Sequence, residues 1–292
     1  MHNDHSMLKG LQNGTIKLYQ LETLLGNDNI RAVSLRQQYT LSTKQSVVQH
    51  ISQTKTDTWL PVDVHPAGRE LFIRFSADAG DAMGMNMLSN GVQKALSTMQ
   101  NGDWPDMKVL SLSGNVCVDK KVSGINTLLG RGKSVTAQIL LRRDVLSLSS
   151  TASLETIHNI VEANNLSTQK AGSVEGFSLT AAQTLAAVFT ATGQDLAQLV
   201  ESSSAIVSTS LLSPNSLLLS VSLPCLEMAT VGGGTGLPAQ SANLDSIIPN
   251  RQTLPTGEAV RTLSSVTAAL VLASELAALC EMAEQIDLFN SD

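Results

Sequence analysis

At 292 residues the chain has room for one large domain or two smaller ones, with a real core. Charged residues are 15% and apolar residues 42%, which argues against a disordered chain; aromatics, at 3%, leave the core to Leu, Val, Ala and Met. A net charge of −6, with no block of Lys or Arg, argues against a nucleic-acid partner.

Met1 to Leu8 is polar and lacks the apolar run of a signal peptide. Residues 15–40 read as helical, with Leu18, Leu21, Leu24 and Leu25 on one side, then Val33 and Leu35, broken near Gly26-Asn27-Asp28-Asn29. Residues 41–69 are polar and irregular, with Pro61 and Pro66, and read as a linker or rebuilt joint. Residues 70–113 read strand, helix, strand: Leu71, Ile73 and Phe75 alternate, Val92, Leu96 and Met99 recur at helical spacing, and Val109-Leu110 closes the unit. Residues 114–134 are glycine-rich and basic, hence a loop, and 135–146 alternate as a strand. A helix over 152–164 has Thr151 or Ser153 as its cap, and 178–200 forms a nearly uncharged helix.

The uncharged stretch from Ser202 to Leu226 is long enough to raise a membrane question. Ser213-Pro214-Asn215-Ser216 breaks it, so it reads as a buried hairpin with strands at 204–211 and 217–223. Leu219, Val221 and Leu223 face one way, Ser220 and Ser222 the other. The last helix, 257–286, carries a stripe of Leu263, Val266, Leu270, Ala273, Ala277, Cys280 and Ala283, with Glu275 in its middle needing a partner. Cys117, Cys225 and Cys280 are widely spaced and odd in number, against a disulfide framework. A soluble, reducing, cytoplasmic setting is expected, with no membrane partner and no metal.

Four runs could carry chemistry. Asp81-Ala82-Met83-Gly84-Met85-Asn86-Met87 follows a strand and opens a helix, where free backbone N–H groups can face an anion. The pattern alone also fits an ordinary helix start with methionines in the core. Ser113-Gly114-Asn115-Val116-Cys117-Val118-Asp119-Lys120-Lys121 sets a lysine beside an aspartate, able to donate to a developing oxyanion, or else forms a solvated basic loop. Gly193-Gln194-Asp195 places a carboxylate at the end of a buried helix. Thr230-Val231-Gly232-Gly233-Gly234-Thr235-Gly236 is a glycine turn between a strand and a helix, commonly plain punctuation.

Together these runs resemble the catalytic domain of the 3-hydroxy-3-methylglutaryl-CoA (HMG-CoA) reductase family over roughly residues 8–40 and 68–283. The resemblance implies an α/β (α+β) fold: a large, mainly helical domain (1–53 and 113–292) and a small inserted nucleotide-binding-type subdomain (54–112). It implies Lys120 as the catalytic lysine, Asp195 as the aspartate that tunes it, and Ser113 and Asn126 lining the substrate region. Asp81, Met83, Gly84, Met85, Asn86, Gly233 and Gly234 would lie at the NADP(H) site, with Lys55 in the best register for the 2′-phosphate. It also implies a homodimer acting on a small molecule.

The departures matter as much. In place of the family's segment with a catalytic glutamate (Glu-Asn-Val-Ile-Gly) and a substrate-gripping arginine stand residues 41–53, which resemble neither. The stretch from Ile286 to Asp292 lacks the family's histidine, and Asp78 stands where the family has an arginine. Thr180 and Gln183 replace a histidine and an asparagine. Loss of positioned proton-transfer groups, each giving ~10²–10⁴ in rate, suggests that mevalonate formation is lost. The expectation is a protein repurposed for a non-redox step, such as cyclisation or isomerisation of a natural-product or terpenoid intermediate, and needing no cofactor. The alternatives are a non-catalytic partner of an intact reductase, a residual NADPH-dependent reductase, or a truncated copy without a selected role.

Overall fold

The computed structural model describes residues 33–41, 63–67, 70–102, 105–173 and 176–290. The helix expected over residues 15–32 and the phosphate-side Lys55 lie outside the described residues. Six strands form one antiparallel sheet in the order β2-β3-β1-β4-β6-β5. They are β1 (Val33–Leu41), β2 (Asp63–Ala67), β3 (Glu70–Ala77), β4 (Gly132–Arg142), β5 (Ile206–Ser213) and β6 (Ser216–Leu226).

β1 corrects the helical reading of 33–40. Its sequence alternates Val33, Leu35, Tyr39 and Leu41 with Ser34, Arg36, Gln38 and Thr40, which is the period of a strand. β1 pairs with β3 on one side (Gln37 opposite Ala77) and with β4 on the other (Val33 opposite Ser134). It therefore joins the β2–β3 hairpin to the β4–β6–β5 ribbon. β2 in turn places a strand in what reads as linker.

α1 (Met85–Asn101) buries Leu88, Val92, Leu96 and Met99, one residue per turn, and Val92, Leu96 and Met99 pack on Ile73 and Phe75 of β3. Residues 107–113 form no strand. Met107 and Val109 instead lie over the β3–α1 cluster, and Leu110 is exposed. The 114–134 segment is less of a loop than expected. It contains α2 (Gly124–Leu129) and the start of β4. β4 ends at Arg142, and the short helix α3 (Arg143–Leu146) completes what reads as strand.

The large core lies between the β4–β6–β5 ribbon and the helices α4 (Leu154–Lys170), α5 (Ala181–Thr192), α7 (Pro238–Ile247) and α8 (Glu258–Phe289). Ser153 caps α4 by accepting from the Thr156 N–H at 2.9 Å. Leu217, Leu219, Val221 and Leu223 are fully buried, and Ser222 pairs across to Thr136 at 2.9 Å. At ~1.5–3 kcal/mol per buried Leu, Val or Phe, this face supplies most of the driving force here.

α8 buries a wide band at four-residue steps: Leu263 and Ser264, Thr267 and Ala268, Val271 and Leu272, Glu275 and Leu276, Leu279 and Cys280. The stripe read from sequence is rotated from this band, and Leu270 is 39% exposed. Buried Ser264 and Thr267 bond back to the Val260 and Leu263 carbonyls, each at 2.7 Å. Among the described residues α8 is the one helix long and apolar enough to cross a membrane; 56% of its most apolar window is buried inside the fold. Glu275 finds its partners at the start of α5, accepting from Ser178 Oγ (2.8 Å), Leu179 N (3.0 Å), Thr180 N (3.1 Å) and Thr180 Oγ1 (2.9 Å).

Candidate active site

The helix expected over 178–200 stops at Thr192, and this break builds the site. Gly193 has φ of 72°, and a Cβ on it would lie 2.3 Å from the Gly234 carbonyl oxygen. A Cβ on Gly234 would lie 2.7 Å from the Gly193 carbonyl oxygen. Two glycines far apart in the chain thus let two turns touch backbone to backbone. The chain then starts a 3₁₀ turn, Leu196–Gln198, capped by Asp195, whose Oδ1 accepts from the Ala197 N–H at 3.0 Å. That turn runs into α6 (Leu199–Ser202).

Asp195 meets Lys120 there: Nζ stands 3.0 Å from Oδ2, with the side chains 41% and 34% exposed. The hydrogen bond that the Lys120 ammonium donates to Asp195 holds it above its ordinary pKa, against some desolvation. The Lys120 loop is strained. Asn115, Val118 and Lys120 all have positive φ, at 60°, 44° and 57°. For β-branched Val118 this is a rare conformation, of a kind that costs ~1–3 kcal/mol and persists only where the surroundings impose it.

The surroundings here are buried charges. Arg131 is fully buried; it donates Nε to Glu201 (3.3 Å), Nη1 to the Cys117 carbonyl (3.2 Å) and Nη2 to Asp119, and its Nε stands 3.1 Å from Glu227 Oε1 as an ion pair. Glu201 also accepts the Lys120 backbone N–H at 3.0 Å, and Gln198 Nε2 donates to Asp119 Oδ1 at 2.9 Å. Burial pushes the Glu201 carboxyl above its usual range, while hydrogen bonds and Arg131 pull the other way. Burial likewise lowers Lys133, against the opposing field of Glu227.

Asn126 and Ser113 hold the ends of this loop. Asn126 is fully buried on α2 and donates Nδ2 to the Val118 carbonyl at 3.0 Å, while its Oδ1 has no partner among the described residues. Ser113 Oγ stands 3.7 Å from Cys117 Sγ. Lys120 and Asp195 are thus in direct contact, Asn126 reaches them through the loop backbone, and Ser113 lies at the loop's start.

The second cluster is the turn before α1. Gly84 takes φ of 80° and leaves the first turn of α1 with no side-chain cap. Asn86 is exposed, and Met83 and Met85 are half-buried. Met85 Sδ stands 3.6 Å from Arg131 Nη2, linking this turn to the lysine loop. Asp81 is committed elsewhere: its carboxylate accepts from Gly257 N (2.7 Å) and Val260 N (3.0 Å), so it caps α8. Its carbonyl accepts from Thr230 N at 2.8 Å, and Ala82 bridges Val231, tying the two glycine turns together. Asp78 Oδ1 accepts from Gly80 N at 2.9 Å. Of the second turn, Gly234 packs on Gly193, whereas Gly233, with φ of 55°, has open space where a Cβ would be. Among the described residues no group of three His, Cys, Asp or Glu could hold a metal ion.

Sequence reasoning missed Glu201 and the roles of Arg131 and Gln198. Glu201 had a signal: it is the one charged residue between Asp195 and Glu227.

A sequence profile described as Hydroxymethylglutaryl-coenzyme A reductase matches residues 23–286. A 3-hydroxy-3-methylglutaryl-coenzyme A reductase 2 of Dictyostelium discoideum is 44% identical over 220 residues, covering 74% of this chain and 42% of the relative. A protein of the same name from Aspergillus fumigatus is 43% identical over 219 residues, covering 74% of this chain and 20% of the relative. The chain thus spans well under two thirds of the length of these relatives. A class II 3-hydroxy-3-methylglutaryl-CoA reductase from Streptococcus pneumoniae, in a structure bound to NADPH, superposes with a TM-score of 0.54 at 17% identity, over 85% of this chain and 64% of that one. The fold is therefore α/β of the HMG-CoA reductase type, and by its sequence the chain belongs to the HMG-CoA reductase family.

Proposed function

We propose that this chain carries the carbonyl-handling centre of an NADPH-dependent reductase, acting on HMG-CoA or a simpler carbonyl compound. The observation that supports it best is the 3.0 Å contact of Lys120 Nζ with Asp195 Oδ2, at the tip of a strained loop. A half-exposed ammonium held charged by a carboxylate stabilises the oxyanion that develops when a carbonyl is reduced, and can pass it a proton. Asp195 favours the charged form of that ammonium and holds it in place.

The residues before α1 fit a dinucleotide. The N-cap Gly84 of α1 brings no side chain, and the charge of Asp81 is taken up by backbone N–H donors. Asn86 and Met87 would present their N–H groups to its phosphates, with Gly233 leaving room for its approach. NADPH, when bound, supplies hydride.

A second reading is a repurposed, non-redox enzyme that uses Lys120 and Asp195 for cyclisation or isomerisation of a natural-product or terpenoid intermediate. Asp78 favours it, since a carboxylate beside α1 opposes a polyanion. So does the lack of a glutamate motif in residues 41–53. We also propose a homodimer, since Leu196, Val200, Leu212 and Val231 are each about half exposed or more.

Titration calorimetry with NADPH and with HMG-CoA, followed by turnover assays monitoring NADPH absorbance, separates the readings. Micromolar NADPH binding and oxidation that Lys120→Met abolishes are expected of the reductase. Folded protein that binds neither ligand would sink it and turn the search to non-redox substrates.

A further inference from the structure

We infer that the helical segment from Asp195 to Ser202 is a three-point clamp on the Asp119-Lys120 dipeptide, in which Gln198 and Glu201 are positioning residues for the Lys120 ammonium. The inference rests on reading Lys120 as the functional amine.

Asp195, Gln198 and Glu201 recur at three-residue steps, so they share one face of successive turns. Each takes a different group of the same dipeptide. Asp195 Oδ2 holds Lys120 Nζ at 3.0 Å, Gln198 Nε2 holds Asp119 Oδ1 at 2.9 Å, and Glu201 Oε1 holds the Lys120 backbone N–H at 3.0 Å.

The three contacts differ in depth. The Lys120 and Asp195 side chains are 41% and 34% exposed, and an ion pair so open to water fixes geometry weakly. Glu201 is 1% exposed and braced by the fully buried Arg131, whose other nitrogens hold Asp119 and the Cys117 carbonyl. Placement of the ammonium must therefore come from the buried end. Lys120 sits at φ of 57°, a conformation that needs an outside hold, and the Glu201 carboxylate is the acceptor that supplies it. The backbone contact of Gly193 with Gly234 fixes where this face begins. The acidic groups facing Lys120 are Asp195, Asp119 and Glu201.

The test is competitive acetylation of the whole folded chain with acetic anhydride near neutral pH, reading Lys120 against the other lysines by mass spectrometry. Thermal melts of each variant run alongside. Acylation tracks the free-amine fraction, tenfold for each unit by which the midpoint falls. Glu201→Ala and Gln198→Leu are expected to speed Lys120 labelling by about threefold or more relative to the other lysines. Glu201→Gln keeps an acceptor oxygen but loses the charge, and is expected to label Lys120 more slowly than Glu201→Ala does. A folded Glu201→Ala or Gln198→Leu chain with wild-type Lys120 labelling would overturn the clamp, because a merely structural residue would move only the melting temperature. If Glu201→Ala does not fold, Gln198→Leu decides, since it removes only the contact to Asp119. The readout needs no turnover, so an inactive wild-type protein would count against the reductase reading and leave the clamp to stand or fall on the labelling.

Discussion

Lys120 and Asp195 illustrate how a weak interaction can still be decisive. Their exposure means that the pair adds little to stability. Lys120→Met should therefore leave the melting temperature almost unchanged while lowering reductase turnover by ~10²–10⁴, to be checked by parallel melts and NADPH oxidation. The pH response follows from the direction of the shift. A lysine whose folded pKa is raised contributes its full stability below its unfolded pKa, about 10.4. That contribution disappears only as pH climbs past the unfolded value and through the folded one, so wild type and Lys120→Met should converge in stability in that strongly alkaline window. Glu201 has the opposite consequence. Its folded pKa is raised by burial, so the native state binds more protons than the unfolded chain in the window above the ordinary glutamate value. Stability should fall as pH rises through that window. Glu201→Gln should flatten the slope in denaturant titrations run across mildly acidic pH.

At the scale of elements, distant groups repeatedly settle where a helix starts or stops. Asp81 caps α8, Glu275 caps α5, and Asp287 takes the Ser153 N–H at the start of α4 at 2.9 Å. Asp81→Ala should cost about 0.5–2 kcal/mol by denaturant unfolding, the usual worth of such a cap. Gly193→Ala should cost more than the ~1 kcal/mol of an unfavourable φ, because the added carbon overlaps the Gly234 carbonyl. It should also displace Asp195, visible as faster acetylation of Lys120. Much of this architecture was legible in the sequence. The alternation in β3 and the β5–β6 hairpin, the spacing in α1 and the Ser153 cap were all readable as local patterns. The lysine and the aspartate were legible by resemblance. The break at Gly193 was passed over although a left-handed glycine is a local stop for a helix; what the sequence could not show is that this turn packs on Gly234. β1 was misread because its leucines and valine were counted at helical spacing when their true period was two. Glu201 was passed over because a lone glutamate after an apolar turn looks like a solvated residue until Arg131 and the Lys120 N–H are placed around it.

For the molecule as a whole, the sheet and the charges join parts that a division by sequence would separate. β1 hydrogen-bonds to both β3 and β4, and Arg131 reaches from the β4 side to Met85 at the start of α1. A ligand at the α1 turn would therefore be felt at the lysine loop. In size-exclusion chromatography with light scattering, the proposed homodimer should give twice the 30.9 kDa chain mass, and Leu212→Asp should shift it toward monomer.

α8 runs for 32 residues, fastened at its first turn by Asp81, in its middle through Glu275 and near its end through Glu284 and Asp287. A rod pinned at three stations can open only when all the neighbouring elements let go together. Its amides in the buried band should therefore exchange with deuterium only through global opening, and rank among the slowest in the protein. The first turn of α1, whose N-cap Gly84 has no side chain to hold it, should exchange earlier than that band.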